Sequence, residues 1–292
     1  MKYDLWCRSA LGQRTSLSTL DNARWLVLKT AGLSSLIAPQ TAACLSELLQ
    51  VTSGQYSKVV DGYQVDQEFL ENAVSLEIQQ CTLGEGAELG LRILAVLEHH
   101  YRILRRRPHV EGNKTIARVV TQQQFARLGL RPHLWSLSRG LARKYEEYQH
   151  FIGMDDHVME GALPNDRQIT REGTLGFVDF MLGVCHEEVD YIGTAFFRQN
   201  LRERVLKMFR TNQQLLGAGV KVKTGPAVLA LLTQGWLPEA EFKTFTGLPP
   251  QAASDELNRL RYLGVVANSQ GLADRVEPRL PRWFAEEILP CL

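Results

Sequence analysis

Between His100 and Arg118 runs the segment His-Tyr-Arg-Ile-Leu-Arg-Arg-Arg-Pro-His-Val-Glu-Gly-Asn-Lys-Thr-Ile-Ala-Arg, which sets a carboxylate, a glycine and several cations close together. Gly112 lets the backbone approach a ligand, and a helix starting near Asn113 directs N–H groups and the positive end of its dipole into the same space. Such a corner binds anions. Glu111 is placed to hold a divalent cation beside bound phosphates, because hard cations prefer carboxylate oxygen. Arg118, more than one helical turn further on, can take a terminal phosphate with both arms of its guanidinium. Arg105, Arg106 and Arg107, with Lys114 and Arg118, can also hold polyphosphate without reacting it. A Gly-Asn turn joining two helices, with solvated charges around it, accounts for the same residues.

The elements that must position this loop are helical. Apolar residues recur at helical spacing through Leu20–Leu36 and Thr41–Leu49, with Ser16 or Ser18 and Pro39 as boundaries. The same pattern predicts helices over Asp66–Ile78, Glu88–Leu104 and Asn113–Leu128, and longer ones over Ser136–Met154 and Thr174–Lys207. Gly129-Leu-Arg-Pro reads as a helix stop, and 155–173 as a polar loop. Alternating Val- and Ile-rich runs are scarce, so a sheet-based core is not expected. From Thr224 the period shortens to Gly225–Thr233, Pro238–Thr246 and Pro250–Leu263, followed by a Gly-containing hairpin from Val265. That is the outline of a winged helix-turn-helix domain over residues 224–292, with the boundary near 211–223. The tail from Trp283 to Pro290 reads as a strand or helix packed back onto the body.

Residues 100–118 resemble the active-site motif of the Fic/Doc (Fido) family, His-Pro-Phe-x-(Asp/Glu)-Gly-Asn-Gly-Arg-x-x-Arg, preceded by a helix carrying a histidine. Leu134-Trp-Ser-Leu-Ser-Arg-Gly-Leu-Ala-Arg-Lys-Tyr-Glu-Glu-Tyr is similar to a segment of one bacterial Fic branch, in which the helix around Phe177–Tyr191 and a C-terminal winged helix also occur. The resemblance implies a mainly α fold, a Fic-type helical bundle over residues 1–210 with the small winged-helix domain behind it. Members of the family transfer AMP from ATP to a protein hydroxyl. The resemblance assigns nucleotide contacts to Glu111, Gly112, Asn113, Lys114 and Arg118, with Mg2+ on Glu111 and ATP as the cofactor.

The pattern is half kept. Pro108, Glu111, Gly112, Asn113 and Arg118 match, but Arg107 falls on the catalytic histidine, His109 on the phenylalanine, Lys114 on the second glycine and Thr115 on the first arginine. A guanidinium cannot accept a proton near neutral pH, and loss of a general base forfeits about 10²–10⁴ in rate. No intact catalytic residue is expected. The reading is a pseudoenzyme that binds another protein and retains part of a nucleotide site. The alternatives are AMPylation with His109 as substitute base, a phosphotransferase like the Doc branch, which carries Asn-Lys-Arg in its motif, and a winged-helix transcriptional regulator. Many Fic proteins restrain themselves with a helix bearing (Ser/Thr)-x-x-x-Glu-(Gly/Asn), whose glutamate pairs with the motif's last arginine. Ser57, Asp61 and Gly62 fit that spacing with Asp for Glu, which makes residues 52–62 an inhibitory helix and predicts an Asp61–Arg118 ion pair. The stretch between Gly62 and Arg107 is short for the hairpin flap that docks targets in active relatives.

Composition sets the outer limits. With 292 residues, 45% of them hydrophobic, the chain can build one medium domain and a small one. A net charge of +1 gives no bulk case for nucleic acid or an acidic membrane face. Cys7, Cys44, Cys81, Cys185 and Cys291 are scattered and never spaced as Cys-x-x-Cys, which points away from a disulfide framework or zinc site and toward a reducing cytoplasm. No apolar run reaches membrane-spanning length. Over 224–292 acids outnumber bases, so DNA is not the expected partner of the winged helix, in spite of Arg259 and Arg261 on its third helix. A protein partner is expected, with a homodimer left open.

Overall fold

The computed structural model describes residues 16–61, 67–80, 88–106, 112–153, 171–269 and 272–292. In chain order the described helices are α1 (Leu17–Leu36), α2 (Pro39–Asp61), α3 (Gln67–Gln80), α4 (Leu89–Arg106), α5 (Asn113–Arg127), α6 (Leu137–Arg143), α7 (Tyr145–Gly153), α8 (Arg171–Phe196), α9 (Arg198–Thr211) and α10 (Gln213–Gly217). A single 3-10 turn, Val222–Thr224, leads into α11 (Gly225–Gln234), β1 (Leu237–Pro238), α12 (Glu239–Phe245), α13 (Pro250–Tyr262), the strands β2 (Val266–Ser269) and β3 (Leu272–Pro278), and α14 (Arg282–Ile288). The protein is mainly helical, and no described helix is long and apolar enough to cross a membrane.

Local signals explain the ends of these helices. Ser16 caps α1 by accepting the Thr19 N–H at 3.1 Å, and Pro39 opens α2, where its missing N–H costs no hydrogen bond. Gly235 ends α11 in the left-handed region, φ 86°, a conformation that only glycine adopts without strain.

Two expected helices are each broken once. Ser136–Met154 divides at Lys144 (φ −112°, ψ 36°) into α6 and α7, without glycine or proline to mark the break. Arg139 and Tyr148 are both fully buried, yet at about 100° per residue a straight helix would put them on opposite faces. The break lets both face the core. Thr174–Lys207 divides at Phe197 (φ −57°, ψ 130°), where a polyproline-like residue separates α8 from α9.

The chain forms two compact units. One comprises the described residues within Met1–Ala31 and Thr52–Val189, the other Gly32–Val51 and Asp190–Leu292. The second therefore starts upstream of the 211–223 boundary read from the sequence, and it includes α9. The core of the first unit gathers Leu94, Leu97, Tyr101, Phe125, Trp135 and Phe177, all 1% exposed or less. Phe177 is the hub, stacked on Tyr101 at 4.8 Å between centroids and tilted against His100 at 5.6 Å. Ring pairs of this kind add about 0.5–1.5 kcal/mol beyond burial.

In the second unit α11 to β3 follow the order helix, strand, helix, helix, hairpin. The sheet is antiparallel with strand order β1-β3-β2, and Leu237 registers with Val276 and Val266 with Pro278. Leu231, Leu237, Phe242, Leu257, Leu260 and Val276 are fully buried between helices and sheet.

Candidate functional site: a buried arginine pocket in the first unit

Helix α5 starts from Gly112, which is buried and holds φ 96°, ψ −13°. A side chain there would be strained, so glycine is required by the backbone itself. From this start the 3.6-residue period turns Asn113, Lys114 and Thr115 to half-buried positions and Arg118 inward, where it is 1% exposed.

Arg118 meets the end of α2. Its Nη1 donates to Asp61 Oδ1 at 2.9 Å, its Nη2 donates to Asp61 Oδ2, and the same Nη2 reaches Ser57 Oγ at 3.3 Å. Thr115 Oγ1 donates to Asp61 Oδ2 at 2.5 Å. The ion pair expected from the sequence is thus present, across 57 residues of chain, with side-chain exposures of 1% and 3%. Two parallel N–H···O bonds make a fork-to-fork contact, the strongest geometry available to these groups. Lys114 stands beside it. Burial lowers its pKa from the ordinary lysine value, while Asp61 acts in the opposite direction.

Around the pair lies a seam of hydroxyls. Ser53, Ser57 and Asp61 share one face of α2 at four-residue spacing. Ser53 Oγ lies 2.7 Å from Ser136 Oγ, and Ser57 Oγ lies 3.4 Å from Ser138 Oγ. Ser136 also caps α6, accepting from Arg139 N at 3.2 Å. Ser53 carried no signal in the sequence, and Ser136 and Ser138, though part of the segment similar to one Fic branch, had no role assigned there.

His100 is fully buried behind Arg118. Its Nδ1 lies 2.8 Å from Thr121 Oγ1, and its Nε2 lies 3.0 Å from Tyr148 Oη. The Thr121 hydroxyl donates to Ala117 O at 2.8 Å, so it accepts from Nδ1–H and leaves Nε2 to accept from Tyr148. The imidazole is neutral. Burial, reinforced by the Arg118 and His99 charges, depresses its pKa from 6.5 to about 3. Burial also pushes the Tyr148 phenol well above its usual range, which keeps it a donor.

A second buried ion pair sits in the same unit. Arg139 on α6 uses one nitrogen, Nη1, to reach Glu188 Oε1 at 2.7 Å and Oε2 at 2.9 Å on α8. Gly140 makes room for it: a methyl group there would stand 2.6 Å from Val184 Cγ1 and 2.8 Å from Glu188 Cγ.

Of the residues singled out in the sequence, the structure brings together Ser57, Asp61, Lys114 and Arg118, with Gly112 and Asn113 at the head of the same helix. Arg107, Pro108, His109, Glu111 and Gly62 lie outside the described residues. Among the described residues no cluster of three His, Cys, Asp or Glu side chains is placed to hold a metal. The chain matches no model of a known protein family and no curated protein.

Proposed function

We propose that the chain is a Fic-fold protein with a degenerate active site, which has kept the frame of a nucleotide pocket and works by binding another protein. What carries the reading is the contact of Ser57 and Asp61 with Arg118. Three residues assigned by resemblance to an inhibitory helix and to the last arginine of the motif meet in one buried cluster. In addition, the helix that bears Arg118 starts at a glycine in the left-handed region, as a backbone approaching a ligand requires.

The chemistry follows from the occupancy of the guanidinium. Both arms of Arg118 are bound to Asp61, so a terminal phosphate can enter only if the carboxylate leaves. Thr115, at the position of the family's other arginine, donates its hydroxyl to the same carboxylate and holds it in place. An ATP–Mg2+ complex would supply a transferable AMP group, with Glu111 as the metal ligand and Gly112, Asn113 and Lys114 along the phosphates. Arg107 stands where a base must accept the hydroxyl proton, and an arginine does not do so.

The second unit is read as a winged helix from its element order and from the β1-β3-β2 sheet. Its third helix, α13, is a poor phosphate reader. Arg259 is paired with the fully buried Glu256 at 2.6 Å, and Arg261 with Glu239 at 2.6 Å.

The test is incubation of the pure protein with labelled ATP and magnesium in a cell lysate. No label should transfer to protein. Labelling that disappears in His109→Ala would overturn the pseudoenzyme reading and establish a substitute base.

A further inference from the structure

The charge count that disfavours DNA covers residues 224–292, but the C-terminal segment of the compact second unit starts at Asp190. Between Arg198 and Lys223 the sequence places seven basic residues and one acid, Glu203. On α9, Arg198, Arg202 and Arg210 are exposed toward one side and Lys207, nine residues from Arg198, toward the other, and Lys221 and Lys223 are exposed at the 3-10 turn. The turn and the helix form one surface. Gly225, at the end of the turn, packs on α9 so closely that a methyl group there would stand 3.3 Å from Leu206 and 3.4 Å from Phe209. Glu256 holds the turn from below, accepting from Lys221 N at 2.8 Å and Thr224 Oγ1 at 2.7 Å.

Charge use divides the unit in two. Lys243, Arg259, Arg261 and Arg282 each hold a glutamate of their own chain. Among the described residues, none of the six exposed cations on α9 and the turn has an acidic partner, and the seventh, Arg204, donates to the Ile288 carbonyl. Like charges four residues apart, such as Arg198 and Arg202, destabilise a helix unless something outside it neutralises them. The row from Arg198 to Arg210 extends roughly 18 Å along the helix axis.

We infer that this face of α9 and the adjoining turn binds nucleic acid through its phosphate backbone. The shallow concavity on it, about 570 Å³, is lined by Arg198, Gln199, Arg202, Glu203 and Leu206. One leucine among polar groups offers no apolar anchor of the kind that fixes a peptide segment. The exposed large apolar side chains of this segment are single residues, Phe197 at 53%, Leu216 at 42% and Val222 at 44%, not the continuous apolar face that a membrane surface requires. Arginine-rich, elongated and without acidic partners, the strip suits a row of phosphates, and Phe197 offers a ring to an unpaired base. The inference is independent of the arginine pocket in the first unit.

Fluorescence anisotropy of the full-length protein with labelled duplex DNA and with single-stranded RNA, titrated with salt, tests it. Five neutralised phosphates predict a slope of about −4.5 in log K against log salt on duplex, somewhat less on single strands. Arg202→Gln with Arg210→Gln and Lys223→Gln should reduce that slope by about 3, and each single substitution by about one. Arg261→Gln, already paired within the chain, should leave it unchanged. Thermal midpoints should stay equal for the strip variants, whose altered side chains are exposed. Salt-independent or undetectable binding to both nucleic acids would overturn the inference. So would an unchanged slope in the triple variant, or tighter binding to polyglutamate or to phosphatidylserine vesicles.

Discussion

Two arginine–carboxylate pairs are buried in the same helical unit at equal depth, and they differ in everything else. Arg139 and Glu188 meet end-on through a single nitrogen, beside the Val184 side chain and a glycine that leaves no spare volume. Arg118 and Asp61 meet fork to fork through two nitrogens, Nη1 and Nη2, among hydroxyls, a half-buried lysine and the start of a helix. The first arrangement closes a packing contact between α6 and α8. On the function proposed above, the second is an anion site filled by the Asp61 carboxylate. Burial and charge alone do not distinguish a structural pair from a site. The geometry of the fork and the chemistry of its neighbours do.

The largest loss of stability is expected at the Arg139–Glu188 pair. Glu188→Ala strands a guanidinium that is 1% exposed on its side chain, which should cost about 3–5 kcal/mol in urea unfolding. An unchanged midpoint would show that water or a rearranged carboxylate replaces the partner. Gly140→Ala should follow at about 1–3 kcal/mol, because the methyl group has to displace Val184 or the glutamate stem, and that stem is held by Arg139.

The hydrogen-bonded groups around Arg118 respond to pH through His100. Folding depresses the His100 pKa from 6.5 to about 3, so between those values the native protein binds fewer protons than the unfolded chain. The stability tied to this group is fully present above pH 6.5 and is lost as the pH falls through that window. A chemical-denaturation series from pH 7 to pH 4 should show the decline, and His100→Gln should flatten it. The smallest effect belongs to Ser57→Ala, which removes a 3.3 Å bond to Arg118 but leaves the fork intact, at about 0.5–1.5 kcal/mol.

Much of this was legible in the sequence. Helical periodicity located the elements, and the Gly-Asn step at 112–113 marked the start of α5. The resemblance of Ser57, Asp61 and Gly62 to the Fic inhibitory motif implied a contact 57 residues away. The breaks at Lys144 and Phe197 were not legible, since neither position carries a residue that stops helices, and the need to bury both Arg139 and Tyr148 is a property of the folded core. Glu188 as the partner of Arg139 was hidden for the same reason: nothing local links residues 49 apart. The basic strip escaped because the domain boundary was drawn after it. Once α9 belongs to the second unit, the charge balance of that unit changes.

Ligand rescue decides whether Asp61 fills a site built for another anion, as proposed. Asp61→Ala and Glu188→Ala both leave a buried guanidinium without its carboxylate, and each is to be heated with and without tripolyphosphate. Polyphosphate should raise the unfolding midpoint of Asp61→Ala in a concentration-dependent manner and leave Glu188→Ala where it was. Equal response of the two variants, or no response from Asp61→Ala at millimolar anion, would contradict it.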